Sequence, residues 1–420
     1  MLEHYYKERR SLVDFRRGPL GPYFDGFAAY LKTRGYAHHR TKTILDRCCL
    51  FNTYLMDHGI TTCRRVSRSL IEPFLNLYQP DTKRLSHYVL WMDTQRAVKH
   101  LFAYLVTVGV LKPDVPKPVV TSYSWALDPY LTSLREEGER TEATIQRIRG
   151  QLGPFLEGLG VTVTRQYLQG LKAETVEAAV KQHLGTSPDN LRRLASTLRS
   201  FLQFRAKRRY TATDFSGLIP RVPTYRLAAL PRGLEESDLQ RILAQIDQSS
   251  PVGCRDYAMM VLLMAYGIRG SQVAALVLED ICWPRSTIRI RASKGGKEVV
   301  LPLLASVGEA ILRYLRHRPT CPCRQVFLAT HAPFRPVTGL SLSRQVRQYF
   351  QDAGVTVPRG GSSTLRHSWA IRALAHDIPM KAIADVLGHR DLNTSFIYAK
   401  ADLHTLRQVA TPWPEEEVTP

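Results

Sequence analysis

Met259-Met260-Val261-Leu262-Leu263-Met264-Ala265-Tyr266-Gly267-Ile268-Arg269-Gly270-Ser271-Gln272-Val273-Ala274-Ala275-Leu276 reads as two helices broken at a glycine. The unbroken apolar run from Met259 to Ala265 is too short to cross a bilayer, so it belongs inside a globular core. Gly267 stops it, because glycine is the residue that most readily turns a helix end. A second helix then carries Val273, Ala274 and Leu276 inward. Arg269 stands at the junction, where its guanidinium can point into a cleft. By itself such an arginine is usually solvated or paired with a carboxylate.

Downstream the pattern changes period. From Thr287 to Arg291, Ile288 and Ile290 alternate with charged neighbours, which is a strand signal. Gly295-Gly296 supplies a turn, and Glu298 to Leu301 returns, so a β-hairpin is predicted with Lys294 at its tip. Ser363-Thr364-Leu365-Arg366-His367-Ser368-Trp369-Ala370 follows a glycine pair and opens a helix with Ala370, Ile371, Ala373 and Leu374. Next come Val386-Leu387-Gly388-His389-Arg390-Asp391 and, nine residues past His389, Tyr398. Asp391 or Asn393 is placed to cap the helix that displays this tyrosine.

Upstream the chain is helical. Phe24, Phe27, Ala28 and Leu31 fall at helix spacing. Thr141 is positioned to cap a helix whose stripe is Ile145, Ile148 and Leu152. Another helix turns Leu191, Leu194, Leu198, Phe201 and Leu202 inward, amid Arg192, Arg193, Arg199, Arg205, Lys207, Arg208 and Arg209. Two Pro-rich breaks divide these segments: Lys112 to Pro118, with three prolines in seven residues, and Ile219 to Arg232. The first two segments resemble each other about one hundred residues apart. Tyr30-Leu31, Thr41, Ile44, Tyr54-Leu55 and Gly59 recur as Tyr130-Leu131, Thr141, Ile145, Phe155-Leu156 and Gly160. Arg96 to Leu105 parallels Arg193 to Leu202. The expected fold class is therefore mainly α with a small β-sheet (α+β) in the C-terminal domain, behind all-α N-terminal modules.

Composition narrows the partner. The 420 residues hold 58 Lys plus Arg against 37 Asp plus Glu, a formal charge of +21. The pI near 9.8 calls for a polyanion, and the charges are spread along the chain as a folded groove requires. An apolar share of 44% excludes a disordered chain. No signal peptide and no membrane-spanning run are present, which points to a soluble, cytoplasmic, nucleoid-associated protein with no membrane partner. Seven cysteines make no disulfide framework. Cys321 and Cys323 between His317 and His331 match no common zinc spacing and read as thiols on a Pro-rich turn.

The combination is more specific than its parts. Gly-x-Arg-x-Ser at Arg269, a hairpin Lys294, Leu-Arg-His-Ser at Arg366, Leu-Gly-His at His389 and then Tyr398 resemble, in this order, the catalytic box of the tyrosine recombinase (phage integrase) family. The resemblance is strong over 233–406. It implies a catalytic domain at 233–410, a helical core-binding (SAM-like) domain at 122–218 and an N-terminal helical DNA-binding module at 1–112. The linkers are then 113–121 and 219–232, and 411–420 is an acidic tail. The ending from Tyr398-Ala399-Lys400 to Val409-Ala410 looks like that of transposon-borne members acting with sibling recombinases.

What the resemblance implies is a site-specific recombinase acting on double-stranded DNA, as a tetramer on DNA. Tyr398 would attack a phosphodiester, form a 3′-phosphotyrosyl bond and free a 5′-hydroxyl. Arg269 and Arg366 would clamp the non-bridging oxygens, His389 would add a hydrogen bond, and Lys294 would protonate the leaving oxygen. No metal or other cofactor is expected, in line with the lack of a carboxylate cluster. One position departs from the pattern: the histidine usual three residues before the second arginine is Ser363, a poor base near neutral pH. Three explanations stand side by side: a natural variant, an engineered substitution, or compensation by His367 or His389. Two other functions share these residues: a DNA-binding accessory recombinase with weak catalysis, and a type IB topoisomerase.

Overall fold

The computed structural model describes residues 1–77, 85–113, 123–137, 140–159, 167, 169–183, 188–221, 233–293, 297–357, 360–389, 391, 395 and 398. It divides into two compact units, one formed by Met1–Pro113 with Leu227–Pro420, the other by Asp114–Arg226. Both proline-rich linkers lie largely, and the acidic tail wholly, outside the described residues.

Helices α1 (Arg9–Arg16), α2 (Phe24–Thr33), α3 (His38–Asp57), α4 (Ile71–Asn76) and α5 (Leu85–Thr107) build the N-terminal part of the first unit. The stripe Phe24, Phe27, Ala28 and Leu31 is buried against Leu45, Phe51 and Leu55 of α3 and Leu101 and Leu105 of α5. A buried Asn52 ties the entry loop to α3, accepting from the Leu20 amide at 3.0 Å and donating to the Arg17 carbonyl at 2.8 Å.

The second unit holds α6 (Ser124–Glu136), α7 (Glu142–Gly158), α8 (Ala173–His183) and α9 (Pro188–Lys207). Thr141 caps α7, its side chain accepting from the Thr144 amide, and Ile145, Ile148 and Leu152 are buried as the spacing predicts. Leu194, Leu198, Phe201 and Leu202 of α9 are buried, and Leu191 is half-buried. The internal resemblance has a structural counterpart. Leu31 and Leu131, Ile44 and Ile145, and Leu55 and Leu156 occupy the cores of their respective modules, on corresponding helices. The capping threonine is not shared: Thr41 lies buried inside α3, which Ala37 precedes.

The rest of the first unit comprises α10 (Glu236–Ala244), α11 (Pro251–Tyr266), α12 (Gly270–Ala275), β1 (Ile281–Cys282), β2 (Thr287–Ile290), β3 (Val299–Pro302), α13 (Ala305–Leu315), α14 (Gly339–Asp352), α15 (Ser362–Ala375) and α16 (Met380–Val386). Helix α11 is buried nearly all round, with Ala258, Met259, Met260, Leu262 and Leu263 in the core, and α13 and α15 pack on it. The expected hairpin is present, with Ile288 opposite Leu301 and Ile290 opposite Val299. Its turn, with Lys294, Gly295 and Gly296, lies outside the described residues. A short strand not read from the sequence, β1, extends the sheet to the antiparallel order β1-β2-β3. The carboxylate of Asp280, fully buried, holds β2 from beneath, accepting from Arg289 Nε and Arg291 Nε, each at 3.1 Å. Among the described residues no helix is long and apolar enough to cross a membrane. Nor is any group of three or more His, Cys, Asp and Glu placed to hold a metal ion.

Candidate active site

The site is assembled where four helix ends meet. Helix α11 stops at Gly267, whose φ of +60° is left-handed and whose amide closes onto the Leu263 carbonyl at 3.0 Å. A side chain there is also excluded by packing: a Cβ would lie 2.8 Å from the ring of Trp369. That indole donates to the Ala265 carbonyl at 2.8 Å, so α15 is latched to the end of α11. Two residues on, Arg269 precedes α12. Its amide donates to Gln272 Oε1 at 3.0 Å, while Gln272 Nε2 donates to the Arg291 carbonyl at the end of β2, 2.9 Å away. Gln272 thereby fixes the Arg269 backbone to the sheet.

Arg366, on the second turn of α15 and 7% exposed, joins three segments distant in sequence. Its Nη1 donates to the Gly267 carbonyl at 3.0 Å, and its Nη2 to the Leu387 carbonyl at 2.9 Å and His389 Nε2 at 2.8 Å. Burial, with help from the nearby Arg269 charge, pulls its pKa down to about 10, and Tyr398 works the other way. It is still a cation at neutral pH. Arg269 Nη1 is itself buried with no hydrogen-bond partner among the described residues. Buried donors are normally satisfied, so an orphaned guanidinium nitrogen points to an anionic oxygen that binds there.

His389 is delivered by the end of α16. Gly388, at φ +61°, turns the chain, and the His389 amide returns to the Ala384 carbonyl at 2.9 Å. A Cβ at Gly388 would stand 3.1 Å from the Lys297 carbonyl, so the glycine also admits the segment entering β3. Because arginine only donates, His389 Nε2 accepts from Arg366, which leaves the proton on Nδ1 for Ser395 Oγ at 2.6 Å. Burial first, then Arg366 and Arg269, push the His389 pKa down to about 4, so the ring is neutral. A histidine titrates near 6.5 when unfolded. The folded state therefore binds fewer protons than the unfolded one in this range. The stability this provides is present above about pH 6.5 and is lost as the pH falls through about 4. Thermal melts across this window are expected to fall more steeply for the parent chain than for His389→Gln. Equal slopes would remove His389 as the responsible group.

Tyr398 is 1% exposed and packs with Ala370, Ala373, Leu374, Ile383 and Leu387 in a small apolar cluster. Burial raises its phenol pKa, and the charges of Arg366 and Arg269 oppose the rise. Its hydroxyl lies 3.0 Å from His367 Nδ1. The structure thus brings together Arg269, Arg366, His389 and Tyr398. Lys294 lies outside the described residues, and Ser363 is exposed on the first turn of α15. Sequence reading gave no role to Gln272, Trp369 or Ser395. Gln272 had a signal, a Gln three residues after the residue preceding a helix. The other two had none, since their roles arise from contacts that sequence spacing does not encode.

Two permanent cations beside a hydroxyl are suited to bind a phosphate and to stabilise the charge that gathers as its ester is attacked. The sequence pattern of the Phage integrase family matches residues 232–404. The chain is 32% identical over 408 residues to a protein of Sinorhizobium fredii named putative integrase/recombinase y4rA, covering 95% of this chain and 96% of that one. It is 32% identical over 297 residues to the tyrosine recombinase XerD of Staphylococcus epidermidis, covering 68% and 97% respectively. Its fold is similar to that of a lambda integrase tetramer bound to a Holliday junction, with TM-score 0.52, 16% identity and coverage of 77% and 91%.

Proposed function

The chain belongs to the phage integrase family of tyrosine recombinases, and from that premise we propose that it cleaves and rejoins DNA at specific sites with Tyr398 as nucleophile. The observation that carries this assignment is the convergence of Arg366, Arg269 and His389 on the surroundings of one buried tyrosine, with Arg269 Nη1 left unpartnered among the described residues. The scissile phosphate fills that position. Arg269 and Arg366 bind its non-bridging oxygens, and His389 adds a hydrogen bond in the tautomer that carries its proton on Nε2 and accepts from Ser395 at Nδ1. Tyr398 Oη bonds to phosphorus as the 5′-oxygen leaves, protonated by Lys294. The 5′-hydroxyl of a partner strand reverses the step, so bond energy is conserved and no ATP is consumed.

Double-stranded DNA is the substrate, held at the nucleoid by the helical modules at 1–112 and 122–218 and by the catalytic domain at 233–410. The formal charge of +21 supports this. So does a concavity of about 440 Å³ in the second unit, lined by Arg147, Arg192, Arg193, Ser196 and Thr197. Exchange between two duplexes calls for four protomers, the assembly in which lambda integrase was solved on its junction. Integration, excision or transposition of a mobile element, with or without sibling recombinases, is the role such exchange serves.

The test is a nicked suicide duplex built from the ends of the element that carries the gene. The expected result is an SDS-resistant protein–DNA adduct from the unaltered chain. An adduct that forms only with Ser363→His would show a binder whose catalysis is impaired. DNA binding without an adduct in either form would leave the accessory role. Relaxation of supercoiled DNA with no exchange between duplexes would mark a topoisomerase.

A further inference from the structure

We propose that His367 is the proton acceptor for Tyr398, taking the phenolic proton during cleavage and returning it on rejoining. The inference rests on the assignment of Tyr398 as nucleophile and identifies the base that this assignment lacks.

The position that carries a histidine in the family is Ser363 here, and it is exposed. The proton must go elsewhere. Arg366 and Arg269, whose charges act on Tyr398, have no lone pair to offer. His389 is committed at both nitrogens, Nε2 to Arg366 and Nδ1 to Ser395. His367 remains, with Nδ1 at 3.0 Å from Tyr398 Oη and the two ring centroids 5.6 Å apart. Its place follows from the helix: one residue after Arg366, it projects beside the clamp onto the neighbouring face of α15. Burial, reinforced by Arg366, lowers the His367 pKa, so the ring is neutral at neutral pH, and in the tautomer with its proton on Nε2 the Nδ1 lone pair accepts from Tyr398.

The same surroundings fix the timing. Burial raises the phenol and lowers the imidazole, so complete transfer before attack is uphill. The proton therefore moves as the bond to phosphorus forms, when the phenolic oxygen becomes far more acidic. In cleavage the Oη–H bond breaks, the proton passes to Nδ1, Oη bonds to phosphorus, and the 5′-oxygen departs with a proton from Lys294. In rejoining the incoming 5′-hydroxyl gives its proton to the Lys294 amine, the Oη–phosphorus bond breaks, and Oη recovers its proton from His367. No proton or electron is left over.

A structural role and a proton-transfer role separate when the phenol is made more acidic. The full chain is prepared with tyrosine or a trifluorotyrosine at position 398, each in the parent, His367→Gln and His367→Asn backgrounds. Single-turnover adduct formation is measured on the suicide duplex, for those variants that bind DNA and melt as the parent does. The expected loss with tyrosine is about 10²- to 10⁴-fold. Fluorination is expected to recover about tenfold or more of it, since a more acidic phenol needs less help from a base. A loss of equal size with both phenols, or no loss at all, would overturn the assignment of His367 alone. Failure of the nucleophile assignment looks different: the adduct would survive Tyr398→Phe.

Discussion

Tyr398→Phe is expected to abolish adduct formation while leaving the fold and the DNA grip intact. Losing the nucleophile of a covalent mechanism costs on the order of 10⁶ in rate. The structural cost is small by comparison. The ring is buried among Ala370, Ala373, Leu374, Ile383 and Leu387, and phenylalanine preserves that packing. Only the hydroxyl is lost, with its contact to His367 at 3.0 Å and its hydrogen bond with Arg366. A hydrogen bond of this kind is worth about 1 kcal/mol. Thermal melting and electrophoretic mobility shift should therefore match the parent within small margins. An adduct persisting in the variant would move the nucleophile to another residue. Loss of folding would show that the buried hydroxyl supports the cluster more than its contacts suggest.

Arg366→Ala should damage both chemistry and stability, and the two losses can be read separately. Removing one preorganised donor from an oxyanion site typically costs about 10²- to 10³-fold in rate, and a guanidinium carries charge as well. The side chain also satisfies the carbonyls of Gly267 and Leu387 and the Nε2 of His389. Each buried acceptor left bare costs about 1–3 kcal/mol. Urea or thermal unfolding should show a marked loss, concentrated in the domain that contains α11, α15 and α16. Arg366→Lys separates the contributions. Lysine keeps the charge but cannot span three acceptors with a planar fork, so adduct formation is expected to remain strongly depressed. A lysine variant with parental cleavage rates would mean that charge alone suffices and that the fork geometry is irrelevant.

Much of this was legible because it depends on local rules. The apolar run ending at Gly267 gave α11 and its stop. Thr141 gave the start of α7, and Ile288 and Ile290 gave β2 and its inward face. Helix α16 was not read from the sequence; Gly388 beyond its end takes a left-handed turn that glycine supplies without strain. Strand β1 escaped notice because two residues carry no periodicity, and it exists only through pairing with β2. The half-buried state of Leu191, at the beginning of its stripe, likewise reflects what the module happens to cover rather than the spacing of the stripe.

By itself the sequence determined the helical class, the hairpin and the order Arg269, Arg366, His389, Tyr398. Helix periodicity, glycine stops and the chemical identity of side chains are properties of short stretches, and they survive in one dimension. Only the tertiary structure decided which groups meet. The contact of Arg366 with the Gly267 carbonyl spans 99 residues of chain, and that of His367 with Tyr398 spans 31. It also decided that Gln272 braces Arg269, that Ser395 orients His389, and that Ser363 faces solvent. Those outcomes follow from how whole helices pack to bury α11, and packing is a property of the assembled core that no local stretch encodes.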